Sequence, residues 1–297
     1  MKRRNFIYDS SLLAFSVGVF GKIKWDGHAF VGNDPTTTDI LGPFYRPGAP
    51  FRTDLVQPGT KGEILHFSGI IYEKDGKTPV NSALVEIWHC NENGEYDNTS
   101  DDYIYRSAWK TGSDGKYYFK TILPVQYGIG QGMTRPAHIH MRISGNQQQD
   151  LVTQIYFKGD NQIANDQSAS DPKSMNRILP IAANAKNEKV VTFDVVLHDE
   201  YLLEKNAYTK ITGLYQMKDN SMCEFYHEGD QLFLKINGQI MEAMDYKGNN
   251  RFEGGLGLSG ALFELQKNGG VTVKINFKVT ADRTIDLEGT KLIKYPG

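Results

Sequence analysis

Short apolar segments, each closed by a glycine-containing turn, constrain this chain more than any other feature of its sequence. Residues 83–90 set the pattern: Ala83, Val85, Ile87 and His89 fall on one face, Leu84, Glu86, Trp88 and Cys90 on the other. Alternation with period two belongs to a strand and fits no helix. Residues 67–72 form a second such segment, ended by Lys74-Asp75-Gly76-Lys77 with Asp-Gly at its centre. A third, Tyr117-Tyr118-Phe119, follows the turn Ser113-Asp114-Gly115, and residues 138–143, 151–157 and 190–197 continue the series. Several strands at this spacing predict a β-sandwich. The 30 Gly, 16 Tyr and 15 Phe agree with an all-β chain. With 33 basic and 35 acidic residues the net charge is −2, which gives no electrostatic case for a nucleic-acid partner.

Residues 158–189 interrupt the strands with a long polar excursion that has room for one short helix; such a length inside a domain is usually functional or mobile. A polar connector follows at 199–207. Five more strands are then expected, at 223–226, 232–236, 240–244, 261–265 and 271–279, in a small antiparallel barrel or curved sheet. This second unit holds one histidine, His227, and no cluster of ligands, so it reads as an accessory or packing domain. Its pattern resembles the small β-barrels appended to various bacterial secreted enzymes. The expected division is residues 1–29, 30–200 and 201–297.

Residues 1–29 read as an export signal. Lys2, Arg3 and Arg4 make a basic head, residues 12–20 a short apolar run, and Gly27-His28-Ala29 a small-x-small cleavage site. Arg3-Arg4-Asn5-Phe6-Ile7 resembles the twin-arginine signal. Neither this run nor any later one is long enough for a transmembrane span. The implied location is extracytoplasmic, periplasmic or secreted.

Two cysteines, Cys90 and Cys223, are too few for a disulfide framework or a Cys-rich zinc site and read as unpaired buried thiols. The residues that carry chemistry lie elsewhere. His138-Ile139-His140 on a strand presents two imidazoles on one face. Two neutral imidazoles suit zinc, copper or iron. No Asp or Glu flanks them as in a facial triad, and no Glu stands placed as the general base of a zinc hydrolase.

Arg135-Pro136-Ala137-His138-Ile139-His140 resembles the signature of the intradiol ring-cleavage dioxygenases, non-haem Fe(III) enzymes that act on catechols. Other segments resemble that family in the same order: Gly42-Pro43-Phe44-Tyr45, the run Glu86-Ile87-Trp88-His89-Cys90 with Gly94-Glu95-Tyr96, residues 111–127, and Thr153-Gln154-Ile155-Tyr156-Phe157. The similarity covers roughly residues 38–198. It implies an Fe(3+) cofactor held by Tyr96, Tyr127, His138 and His140. Tyr127 would also take up a substrate proton. Arg135 would stabilise charge beside the ring, and Gln154 would orient substrate or O2. The implied substrates are a small aromatic diol and O2, and a homo-oligomer is compatible with the sequence.

A free phenol has a pKa of about 10, and a trivalent metal beside it holds it as phenolate at neutral pH. The resemblance has departures. The long helical N-terminal segment of many cytoplasmic catechol dioxygenases is missing, only a short loop separates Tyr127 from His138, and the C-terminal unit is additional. The competing reading is a non-catalytic, prealbumin-like exported β-sandwich that binds a partner. A bare sandwich has no need of two histidines on one face and two placed tyrosines.

Overall fold

In the computed structural model, the residues described are 23–25, 30–32, 35–130, 132–145, 148–198, 205–280 and 283–292. Of the expected export signal, only Ile23–Trp25 is described, as a strand paired antiparallel with Phe30–Gly32. The basic head, the apolar run and the cleavage triplet lie outside the described residues. Among the described residues no helix is long and apolar enough to cross a membrane.

Two sheets face each other over an apolar core, as the alternation predicts. One has the order Ile178–Leu179, Leu151–Phe157, His138–Ser144, Leu84–Trp88, Arg106–Lys110. The other is built on Ile64–Tyr72, which pairs with Lys116–Ile122, Lys189–Thr192 and Val195–Val196; Ala182–Ala183 extends it beyond Lys189–Thr192. Leu65, Phe67 and Ile71 meet Val85, Ile87, Ile139, Met141 and Ile155 between the sheets.

Three local differences from the sequence reading have physical causes. The expected strand at 190–197 is broken at Phe193-Asp194. There the Phe193 carbonyl accepts from Tyr117 Oη at 2.6 Å, and Asp194 Oδ1 accepts from Ile70 N at 2.9 Å. Gly69 permits this approach, because a Cβ on it would lie 1.9 Å from the Phe193 oxygen. The excursion at 158–189 contains two 3-10 turns, Ile163–Asn165 and Pro172–Arg177, rather than one helix. Asp171 caps the second, with Pro172 at its start, where a missing N–H costs nothing. Strand Arg106–Lys110 and hairpin Tyr127–Gly130/Met133–Arg135 gave no alternation strong enough to read.

Helix α1, Lys205–Ile211, leads into an eight-stranded antiparallel barrel. Five of its strands were expected. Gly213–Met217, Arg251–Gly254 and Arg283–Lys291 complete it, and pairing of the first with the last closes the ring. Tyr215, Phe225, Phe252, Phe263, Val273 and Ile275 fill its interior, as side chains can in a barrel of this size.

The barrel covers the outer face of the sheet that carries the histidines. Tyr45, Trp88 and Val152 pack against barrel residues Phe233, Ile240 and Ala243. At the same seam Arg142, 3 % exposed, lies 3.0 Å from both Glu86 and Asp150 and 3.4 Å from Glu228 of the barrel. Its Nε donates to Gln231 Oε1 at 3.3 Å. Strands His138–Ser144 and Leu151–Phe157 are therefore buried on both faces. Both cysteines are buried and unpaired, as expected.

Candidate metal centre

The pleat of strand His138–Ser144 sends Ile139, Met141 and Ile143 into the core and His138, His140 and Arg142 to the opposite face. His138 Nδ1 lies 2.7 Å from the Pro136 carbonyl, and as the donor there it leaves Nε2 with the free lone pair. His140 stacks on Trp88, with ring centroids 4.9 Å apart and planes 7° from parallel. Gly42 passes over its other side, where a Cβ would stand 3.3 Å from His140 Cε1.

The tyrosines arrive from two loops. Gly94, at φ +80°, closes a tight turn in which Asn91 Oδ1 accepts from the backbone of Asn93 and Glu95. A Cβ at Gly94 would lie 2.8 Å from Tyr127 Cβ, so glycine is needed for both the turn and the packing. Tyr96 stacks on Phe44 at 4.2 Å. Tyr127 opens the hairpin whose other strand ends at Arg135, its direct cross-strand partner.

Four donor atoms converge. From His138 Nε2, His140 Nε2 lies at 3.2 Å, Tyr96 Oη at 3.3 Å and Tyr127 Oη at 3.4 Å. Donors held about 2.0–2.1 Å from one ion, and about 100–110° apart, stand about 3.1–3.4 Å from each other. Electrostatics favour the same reading. Burial, and then Arg135, push His138 down to about 3; burial and His138 push His140 well below the usual imidazole range, so both imidazoles are neutral. Burial and Tyr127 push the Tyr96 phenol well up, and burial raises Tyr127 against a lowering by Arg135. Two phenols that resist ionisation this strongly become phenolates only beside a strong cation. The residues therefore fit an iron ion. Among the described residues, no group of three or more His, Cys, Asp or Glu could hold a metal.

Arg135 stands at the edge of this cluster, with Nη1 3.3 Å from His138 Nε2. Asp166 clamps it, Nε to Oδ2 at 2.8 Å and Nη2 to Oδ1 at 3.3 Å. Asp166 is itself fixed by the backbone N–H groups of Ser168 and Ala169. Gln154 Oε1 accepts from Arg135 Nη2 at 3.1 Å, and its Nε2 donates to the Ile40 carbonyl at 2.6 Å. It supports Arg135 from beneath, and Tyr156 Oη lies within reach of both Gln154 and Asp39. Sequence reasoning missed Asp166, Phe44 and Tyr156 as parts of the site. The unusual length of the 158–189 excursion was the one signal that pointed towards Asp166.

A family model described as Dioxygenase matches residues 40–199. The chain belongs to the intradiol ring-cleavage dioxygenases. It is 32 % identical over 206 residues to a chlorocatechol 1,2-dioxygenase of Rhodococcus opacus, covering 60 % of this chain and 74 % of that protein. It is 35 % identical over 151 residues to catechol 1,2-dioxygenase 1 of Acinetobacter lwoffii, covering 43 % of this chain and 48 % of the relative. The chain thus spans about half the length of several such relatives. The crystal structure of catechol 1,2-dioxygenase from Pseudomonas arvilla C-1 superposes with a TM-score of 0.51 at 25 % identity, over 57 % of this chain and 63 % of that one. Intradiol dioxygenases are non-haem iron enzymes. The C-terminal barrel of this dioxygenase lies beyond the matched segment.

Proposed function

We propose that this dioxygenase holds Fe(III) on Tyr96, Tyr127, His138 and His140 and cleaves a catechol between its two hydroxylated carbons. Both atoms of O2 enter the product, a cis,cis-muconate-type diacid. The observation that carries the reading is the convergence of the four donor atoms beside a clamped arginine. When bound, Fe(III) would draw electron density from a chelated catecholate and make the ring carbon open to attack by O2. The protein does the rest. Tyr127 lines the cleft beside Arg135, its cross-strand partner, so its Oη is placed to accept a hydroxyl proton from the substrate. Arg135, kept cationic by Asp166, faces the space where negative charge gathers on the carbon skeleton. Phe44 and Trp88 fix Tyr96 and His140 by stacking, which holds the donor geometry before substrate arrives. The non-catalytic sandwich is not favoured, since it leaves the donor cluster without a purpose. The basic and apolar residues 1–29 support a place of action outside the cytoplasm.

The test is the visible spectrum of iron-loaded protein, before and after catechol is added without O2. Two phenolates on Fe(III) give a charge-transfer band, which catecholate shifts. Protein that binds no Fe(III), or binds it without colour, would overturn the reading.

A further inference from the structure

The cleft at the donor cluster encloses about 1100 Å³. Pockets for drug-sized ligands run from about 300 to 1,000 Å³. A bare benzenediol on the donors would leave most of this space empty. The barrel forms part of the wall: Leu258, Phe277, Lys278 and Glu242 line the same cleft as Tyr96, Tyr127 and Arg135. On the hairpin that carries Tyr127, Ile129 and Met133 also line it, 50 % and 49 % exposed. Apolar side chains thus stand open towards the cleft from both the sandwich and the barrel.

The polar groups of the wall are equally informative. Among the described residues, two cations line the cleft, Arg135 and Lys278. Arg135 is already held by Asp166, which leaves Lys278, an exposed residue, to meet an anionic group. Glu242 Oε2 is buried without a hydrogen-bond partner. Burial pushes this carboxyl up to about 8, against a lowering by Ser259.

Resting on the function proposed above, we infer that the substrate is a catechol bearing an extended apolar arm with an acidic end. The barrel is then the wall that recognises the arm, with Phe277 and Leu258 along its length and Lys278 at its charged end. The added domain becomes a determinant of specificity, and the substrate class is that of catechols with a side chain of several carbons ending in a carboxylate.

The experiment uses the full-length iron-loaded protein and three probes: catechol, 3-(3,4-dihydroxyphenyl)propanoate and its methyl ester. The reading is the ratio of kcat/KM between arm-bearing probe and catechol, with dissociation constants from anaerobic absorbance titration as a second measure. Taking the ratio within one preparation cancels any loss of folded protein. Wild type should favour the acid over catechol by about tenfold or more. Phe277→Ala and Leu258→Ala should lower that preference for acid and ester alike. Lys278→Glu should lower it about fivefold for the acid and leave the ester's ratio in place. Catechol cleaved as well as the acid, or ratios unmoved by all three substitutions, would overturn the inference while leaving the proposed function intact. No cleavage of any probe, with no shift of colour, would instead remove the proposed function on which the inference rests.

Discussion

Replacing Tyr96 by phenylalanine should change how metal affinity depends on pH, by an amount that the site itself fixes. In the metal-free protein both phenols are protonated at neutral pH, because burial raises them. Both imidazoles are neutral, because burial lowers His138 to about 3 and lowers His140 well below the usual imidazole range. Binding a metal therefore releases one proton from each tyrosine and none from either histidine. Affinity rises with pH by one decade per pH unit for each proton released, about 1.4 kcal/mol per proton and pH unit. Tyr96→Phe removes one of these protons. The ratio of wild-type to variant affinity for Fe(III) should thus grow about tenfold per pH unit, and about a hundredfold from pH 6 to pH 8. Competition against a fixed chelator measures it, and the chelator's own protons cancel in the comparison. A ratio that stays flat with pH would mean that Tyr96 gives up no proton to the metal, and would refute its role as a phenolate ligand.

Three further outcomes are expected. Asp166→Asn should lower kcat/KM for catechol by about 10- to 100-fold while the iron colour persists, since the clamp on Arg135 loses its charge; unchanged kinetics would show that Arg135 needs no clamp. Arg142→Met should destabilise the protein by about 3–5 kcal/mol, because Glu86 and Asp150 would be left buried without their cation; a midpoint within error of wild type in urea would argue that the seam is not held by charge. Stability should fall as pH rises from about 7 to about 8.5. Burial raises Asp150 to about 7 and Glu242 to about 8, so above the imidazole range the folded state binds more protons than the unfolded one. Below about pH 6.5 the buried neutral His89, His138 and His140 act with the opposite sign, because their unfolded counterparts take up protons there. A melting temperature that climbs from about pH 7 to about pH 8.5 would contradict the sign.

The histidine pair and most strands of both units were legible because each rests on local pattern; the two tyrosines were legible only through the resemblance to the family. A strand's pleat alone puts His138 and His140 on one face. Asp166 was not legible, because it meets Arg135 only after the 158–189 excursion folds back over the hairpin. Gln154 was legible as a neighbour of the site, but its partners were not, since those at both ends of its amide come from distant segments. Residues 83–90 illustrate the remaining limit. Their alternation reads as one core face and one mixed face, yet Glu86 and Trp88 are 5 % and 2 % exposed. What buries them is the barrel, which the strand's own sequence does not announce.

His138, His140 and Arg142 stand at alternate positions of one strand, and the first two hold donor atoms while the third anchors the barrel. A slip of that strand by one residue would turn all three inward and bring Ile139, Met141 and Ile143 out. Misregistered chains would lose iron colour and barrel docking in the same event, so colour in a refolding mixture counts the molecules in which this strand has found its register.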